Sequence, residues 1–407
     1  MSTPTPLRPS QAARALAVAA VTLAVHNGVV TAFAVLYLPL VAEFAASRAE
    51  VAAVQSAVLL LGGFGAPLIG WAFDRLGPRR LIQCGALLSA VAFVAASRVH
   101  SLPALIVVYG LVGGLGLSTF GSQANTIIPA LWYPRARGRA IAVADLGTGF
   151  GVFCFIPLGQ ALVSTYGWRV TLCVWAALLV AIVVPLNALQ RLPPATSAQT
   201  GSPRPGDGTG VARAFRAPGF WWLGAMRFFG ACAFPLMNTH VVAYAIGQGI
   251  APAAAAAAFG TVSLVSPAGR LTTGWLCDRI GRAATLTLTY ASAALGIGCL
   301  SMLALTGGGA WLPLYVVFYG LAQGSSGIVA SARAADLFAG PSFGVIYGWL
   351  SLALGPGEAL GAWIGGKVFD VSGSYLPAFG VAVAALAAGV VAIWRARPSK
   401  STYSSTW

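Results

Sequence analysis

The chain has 407 residues, of which 58% are hydrophobic and only 8% charged, with a formal net charge of +15 and a mean hydropathy of +0.81. A soluble domain carries about 25% charged residues, so a soluble helical protein is excluded and most of this surface faces lipid. The positive charge does not point to nucleic acid, because the basic residues sit in short loops between apolar runs.

Apolar segments follow one another at 14–41, 50–73, 80–98, 102–131, 140–163, 168–189, 219–247, 252–277, 283–305, 311–333, 343–366 and 375–395. Runs of about 20 apolar residues specify membrane-spanning helices. Twelve spans are therefore expected, the longer ones tilted or reaching past the lipid. The first is too long for the apolar core of a cleavable signal peptide. Glycine runs inside the segments, such as Gly113-Gly114-Leu115-Gly116, read as close helix packing. The six cysteines (Cys84, Cys154, Cys173, Cys232, Cys277, Cys299) form no CxxC pair or Cys/His cluster, and read as small core residues. No phosphate-binding GxxxxGK[ST], HExxH or catalytic elbow is present, so neither an ATPase motor nor an enzyme is expected, and no cofactor or metal.

A charged turn appears twice. Gly70-Trp71-Ala72-Phe73-Asp74-Arg75-Leu76-Gly77-Pro78-Arg79-Arg80 follows the second segment, and Gly274-Trp275-Leu276-Cys277-Asp278-Arg279-Ile280-Gly281-Arg282 follows the eighth, 204 residues later. A second echo places Tyr109-Gly110-Leu111 and Tyr319-Gly320-Leu321 in the fourth and tenth segments. The chain reads as a duplication, the organisation of a two-lobed transporter. Residues 190–218 are rich in Pro, Gly, Ser and Thr and too polar to pack, so they are expected to be a flexible linker between bundles at 1–189 and 219–407. With both termini inside, eighteen Lys and Arg fall in cytoplasmic segments and four in outer ones. That asymmetry predicts a multi-pass protein of the cell's inner membrane with cytoplasmic termini.

These features resemble the major facilitator superfamily over nearly the whole chain, whose loop motif matches both charged turns. Further matches resemble its monocarboxylate porter branch and the bacterial oxalate–formate antiporter-like relatives. They are Leu38-Pro39-Leu40 with Glu43-Phe44 and Ser47-Arg48-Ala49-Glu50; Trp132-Tyr133-Pro134-Arg135-Ala136-Arg137-Gly138; Gly344-Val345-Ile346-Tyr347-Gly348; and Phe369-Asp370-Val371-Ser372-Gly373-Ser374-Tyr375. The resemblance implies an all-α membrane protein with twelve transmembrane helices in two pseudo-symmetric six-helix bundles. It also implies that Arg270 is the arginine that binds a substrate anion. The sequence departs from the branch at Ser266, where animal members carry an acid one turn before that arginine, and in the eleventh span, which has Glu358 where oxalate antiporters have a lysine. The first-span Asp-Gly-Gly-Trp signature is also absent; His26-Asn27-Gly28 stands nearby. These departures favour a monocarboxylate over a dicarboxylate.

A guanidinium within a span costs at least about 2.5–3.5 kcal/mol, and a planar carboxylate matches its fork; a structural ion pair near the inner surface is the plainer alternative. Asp145, in the fifth span, is the expected resting counter-ion of Arg270 and a proton-coupling residue. Glu358 is a second proton site or a partner for Arg227. The resemblance implies that the first, fourth, seventh and tenth spans line the cavity. His26, Asn27, Gln123, Asn125, Asn238, His240, Tyr319 and Gln323 then offer hydrogen bonds to the substrate, and Tyr37, Phe33 and Phe234 an apolar wall. Asp74, Arg75, Asp278 and Arg279 are gating candidates. The reading is a proton-coupled symporter of a small monocarboxylate such as lactate or pyruvate. Its expected partners are that anion, a proton and membrane lipid, and no nucleic acid. The alternatives are an anion exchanger of the oxalate–formate type and a membrane sensor without flux.

Overall fold

A computed structural model describes residues 9–121, 125, 128–129, 131–133, 137–190, 208–306, 309–338 and 343–396. Among them the regular structure is entirely helical, and it groups into the twelve expected rods. In order these are Pro9–Thr31 with Phe33–Phe44; Arg48–Phe64 with 66–76; 78–96; Leu102–Thr119; 137–166; 168–188; Pro218–Gly247; Pro252–Ile280; Arg282–Thr306; Trp311–Ala322 with Ser325–Phe338; Phe343–Ser351 with Leu354–Ser372; and Leu376–Arg395. A short helix, Gly208–Arg216, precedes the seventh. By length and apolarity alone, eight continuous helices among the described residues can cross a membrane. One of those, Val143–Ala188, holds two spans, because Gly167 turns the chain between them.

The two charged turns show why their pattern needs glycine. Gly77 has φ 74° and Gly281 has φ 84°, left-handed values that a side chain disfavours. Each lets one helix end and the next start with no intervening loop. At the other end of the first bundle, Ser47 opens the second span through a capping box. Its Oγ accepts from the Glu50 N–H at 3.3 Å, and the Ser47 N–H donates to Glu50 Oε2 at 2.8 Å.

The chain forms two compact units, Met1–Thr200 with Asn238–Leu264, and Gly201–Met237 with Val265–Trp407. In the first unit, the first and fifth spans meet backbone to backbone. A Cβ on Gly147 or Gly151 would strike the carbonyl oxygens of Ala20 and Ala24. Both pairs are four residues apart, the small-xxx-small spacing that lets helices approach closely in lipid. The second and fourth spans pack likewise, with Gly110 over Ala57 and Gly114 over Val58. Tyr109 stacks on Phe93 at 5.0 Å and lies 5.9 Å from Phe33.

The second unit repeats these devices. Gly357 and Gly361 of the eleventh span rest on the carbonyls of Phe228 and Cys232 in the seventh, again four residues apart. Tyr319, the echo of Tyr109, lies 5.5 Å from Phe234, as Tyr109 lies near Phe33. The duplication read in the sequence is therefore present in the helix contacts of each unit separately. Outward apolar side chains such as Val91 (67% exposed) and Leu271 (72%) fit contact with lipid tails.

Replacing Gly281 with Ala should destabilise the protein by about 1–3 kcal/mol through its left-handed φ. Gly62→Ala, with no heavy atom within 4 Å of the added carbon, should be nearly neutral. Thermal unfolding of the detergent-purified variants checks both.

Candidate functional site

The site is built where the eighth span meets the tenth, inside the second unit. The tenth span is broken. Its first helix ends at Ala322, Gln323 turns to φ −66°, ψ 124°, and Gly324 takes φ 86° before Ser325–Phe338 begins. A break inside lipid frees backbone groups that other atoms must satisfy. Ser266 meets part of that demand, its Oγ donating to the Gln323 carbonyl at 3.0 Å. Gly269 brings the eighth span onto the tenth, since a Cβ there would strike the Leu321 carbonyl. Arg270 then lies over Gly324: a Cβ on that glycine would meet Nε, and would come within 2.9 Å of Cζ and 3.0 Å of Nη2. The guanidinium is half-buried, held against a bare backbone. Ser325 beside it is fully buried, and its Oγ has no hydrogen-bond partner. Such an arrangement offers positive charge and hydrogen-bond donors to an anion.

Tyr319 and Gln323 share this span. Tyr319 is buried, stacks on Tyr315 at 5.1 Å, and donates its hydroxyl to the Phe234 carbonyl at 3.3 Å. A second arginine, Arg227, is 6% exposed. Its Nη1 donates to the Tyr347 hydroxyl at 2.9 Å and its Nη2 to Ser351 Oγ at 3.2 Å. Glu358 is close enough to feel its charge, yet among the described residues no carboxylate lies within 4.0 Å of it. Neutral hydroxyls, not the acid, hold this arginine.

In the first unit, Asn27 and Asp145 are joined through a residue that the sequence reading passed over. Asn27 Nδ2 donates to Thr148 Oγ1 at 3.1 Å, and that hydroxyl donates to Asp145 Oδ1 at 3.1 Å. His26 points an edge at Phe120, with ring centroids 5.4 Å apart. Asn125 is fully buried and spends its amide N–H groups on its own span, at the carbonyls of Phe120 (2.7 Å) and Gly121 (3.2 Å). Tyr37 donates to the Arg48 carbonyl at 2.7 Å and meets the buried His240 edge-on at 4.9 Å. Asn238 is half-buried in the same unit. Glu43 pairs with Arg169 at 2.6 Å, and Arg169 also donates to the Val99 carbonyl at 3.2 Å.

The charged turns repeat at side-chain level. Arg75 lies over Trp71 at 4.6 Å and Arg279 over Trp275 at 4.9 Å, each one turn apart. Asp278 pairs with Arg282 at 3.1 Å, and Arg282 also reaches Asp336 at 3.3 Å and donates to the Cys277 carbonyl at 2.6 Å. The side chain of Asp74, and Gln123 as a whole, lie outside the described residues. Thr148, Ser325 and Asp336, and the hold of Tyr347 on Arg227, are contributions that sequence reasoning missed. Thr148, Tyr347 and Asp336 have partners distant in sequence, and Ser325 lies at a kink.

Twelve spans in duplicated bundles, with arginine and carboxylate side chains held among them, define a multi-pass membrane transport protein. The Major Facilitator Superfamily model matches residues 18–328, and the chain belongs to that superfamily. It is 28% identical over 391 residues to monocarboxylate transporter 13 of Bos taurus, covering 89% of this chain and 84% of that one. To the oxalate:formate antiporter of Oxalobacter formigenes it is 23% identical over 323 residues, covering 78% and 76%. Its fold matches a crystal structure of a bacterial homologue of the human lysosomal transporter Spinster with a TM-score of 0.72, at 15% identity and 96% coverage of each chain.

Arg282 holds two carboxylates and a carbonyl, whereas the Asp278 side chain is 82% exposed. Arg282→Gln should therefore lower stability by about 1–2 kcal/mol, and Asp278→Asn by less than about 0.5 kcal/mol. Chemical unfolding of the two variants in one detergent compares them.

Proposed function

We propose that this chain is a secondary active transporter that carries a small monocarboxylate, such as lactate or pyruvate, together with a proton by alternating access. The observation that carries the reading is Arg270, a guanidinium on a membrane span seated against the break of the tenth span. A cation there needs an anion to offset its desolvation, and a carboxylate fits its planar fork. Similarity to monocarboxylate transporters supports the substrate class. Tyr319, Gln323, Asn27, Asn125, His26, Asn238, His240 and Tyr37 are proposed to shape the path and orient the substrate.

Asp145 is the proposed proton carrier, already tied to Asn27 through Thr148, with Glu358 as the second candidate. In this reading the carboxylate of Asp145 competes with the substrate anion for Arg270, and protonation of Asp145 releases the arginine. Anion and proton then enter with no net charge. Asp74, Arg75, Asp278 and Arg279 gate the cytoplasmic face. The proposed location is the inner (plasma) membrane with both termini in the cytoplasm, an orientation that the asymmetry of its basic residues supports.

Anion exchange is the second reading, favoured by Arg227. That buried cation has no carboxylate within ion-pair distance among the described residues, and it gives this unit a second positive centre. A dianion or a pair of anions suits two centres better than one.

Uptake of labelled L-lactate into proteoliposomes distinguishes the readings. Symport predicts accumulation driven by an inward proton gradient and reduced at least about 100-fold in Arg270→Ala. Exchange predicts uptake that ignores the gradient and requires anion inside the vesicle. Asp145→Asn should retain exchange of internal for external substrate and lose accumulation on the pH gradient; accumulation that survives would remove Asp145 from proton coupling.

A further inference from the structure

We propose that the first turn of the helix Ser325–Phe338 is part of the anion site, with the Ser325 hydroxyl and the backbone N–H groups that follow it binding the carboxylate that Arg270 attracts. The proposal rests on the reading of Arg270 as the substrate anchor and names the groups on the opposite side of the bound anion.

Three features meet at this point. The helix is 14 residues long and starts in mid-span. Its first N–H groups have no acceptor within the helix, and its dipole places partial positive charge at that end. Ser325 is the first residue of this helix, and its Oγ is fully buried and makes no hydrogen bond. A buried hydroxyl without a partner is unfavourable, and a ligand that pairs with it removes that cost.

The second feature is the approach of Arg270. Its guanidinium rests on Gly324, the residue before the helix, where any Cβ would collide with it. A cation and a positive helix start thus face one point of the span, and an anion placed there meets both. The third is Ser266, which occupies the Gln323 carbonyl. The carbonyl of the break thus accepts from a hydroxyl of the eighth span. Discontinuous spans whose helix starts face an anion are also a general means of binding charge at mid-membrane.

The test uses the purified full chain in detergent and measures thermal stabilisation by formate, acetate, L-lactate and pyruvate, with sodium chloride as the ionic-strength control. At least one of the four should stabilise the wild type beyond the chloride control. For that anion, Ser325→Ala should weaken binding about 3–10-fold. Ser325→Asp places a fixed carboxylate at the helix start, so it should abolish binding while its ligand-free melting temperature equals or exceeds that of the wild type. Wild-type binding in a folded Ser325→Asp protein, with binding lost in Arg270→Lys, overturns this proposal and leaves the Arg270 reading intact. Wild-type binding in Arg270→Lys overturns that reading and this one with it. A wild type that responds to none of the four anions overturns both.

Discussion

In hydrocarbon, apolar side chains gain little by leaving lipid for one another, so helices associate where their backbones can touch. That constraint organises this chain. Gly147 and Gly151 seat the fifth span on the first, and Gly357 and Gly361 seat the eleventh on the seventh, each on carbonyls one turn apart. Contacts of this kind leave no slack, because no side chain remains to adjust. Arg270 is placed by the same rule. Gly269 presses on Leu321, and the next side chain along the eighth span has Gly324 beneath it. Two glycines, Gly269 and Gly324, bring the cation against the backbone of the tenth span.

The duplication governs packing and does not extend to charge. The first and fifth spans and the seventh and eleventh are equivalent pairs joined by the same glycine spacing. Yet the first pair carries the Asn27–Thr148–Asp145 chain, and the second carries Arg227 with Tyr347 and Ser351. One repeat has thus kept an acid among its polar groups, and the other a base. Arg270 adds a second base to the latter unit. On the proposed function, an anion and a proton need separate homes, and identical repeats would offer neither. Divergence of the polar groups on an unchanged backbone frame would supply them.

How much of this was legible in the sequence differs by level. The twelve spans were, because about 20 apolar residues in a row leave few alternatives. Gly77 and Gly281 were legible as parts of a repeated turn, and their left-handed φ supplies the reason for the repeat. Arg270 stood out because a charge in an apolar run is costly. The break of the tenth span did not stand out, since Gly324 is one glycine among 50. Thr148 and Ser325 were equally silent. A single hydroxyl in an apolar run has no periodicity, and the partner that gives Thr148 its meaning, Asn27, is 121 residues away. Tyr347 was noted as part of a motif, but its hold on Arg227 across 120 residues appears only in the fold.

The charged turns carry the same tryptophan–arginine contact in both copies. Trp71 and Trp275 are more than half exposed, and each carries an arginine over its ring one turn on. Amphipathic aromatic rings favour the membrane surface, and a stacked guanidinium keeps its charge there at little cost. That holds the span end in place. In the second copy, the acid beside it, Asp278, is 82% exposed while paired with Arg282. A pair so open to water contributes little to stability, and the same openness lets it exchange partners cheaply. On the proposed gating role, such a contact can break and re-form in each transport cycle. Arg282 would keep Asp336 and the Cys277 carbonyl if Asp278 let go, so the turn would retain its shape.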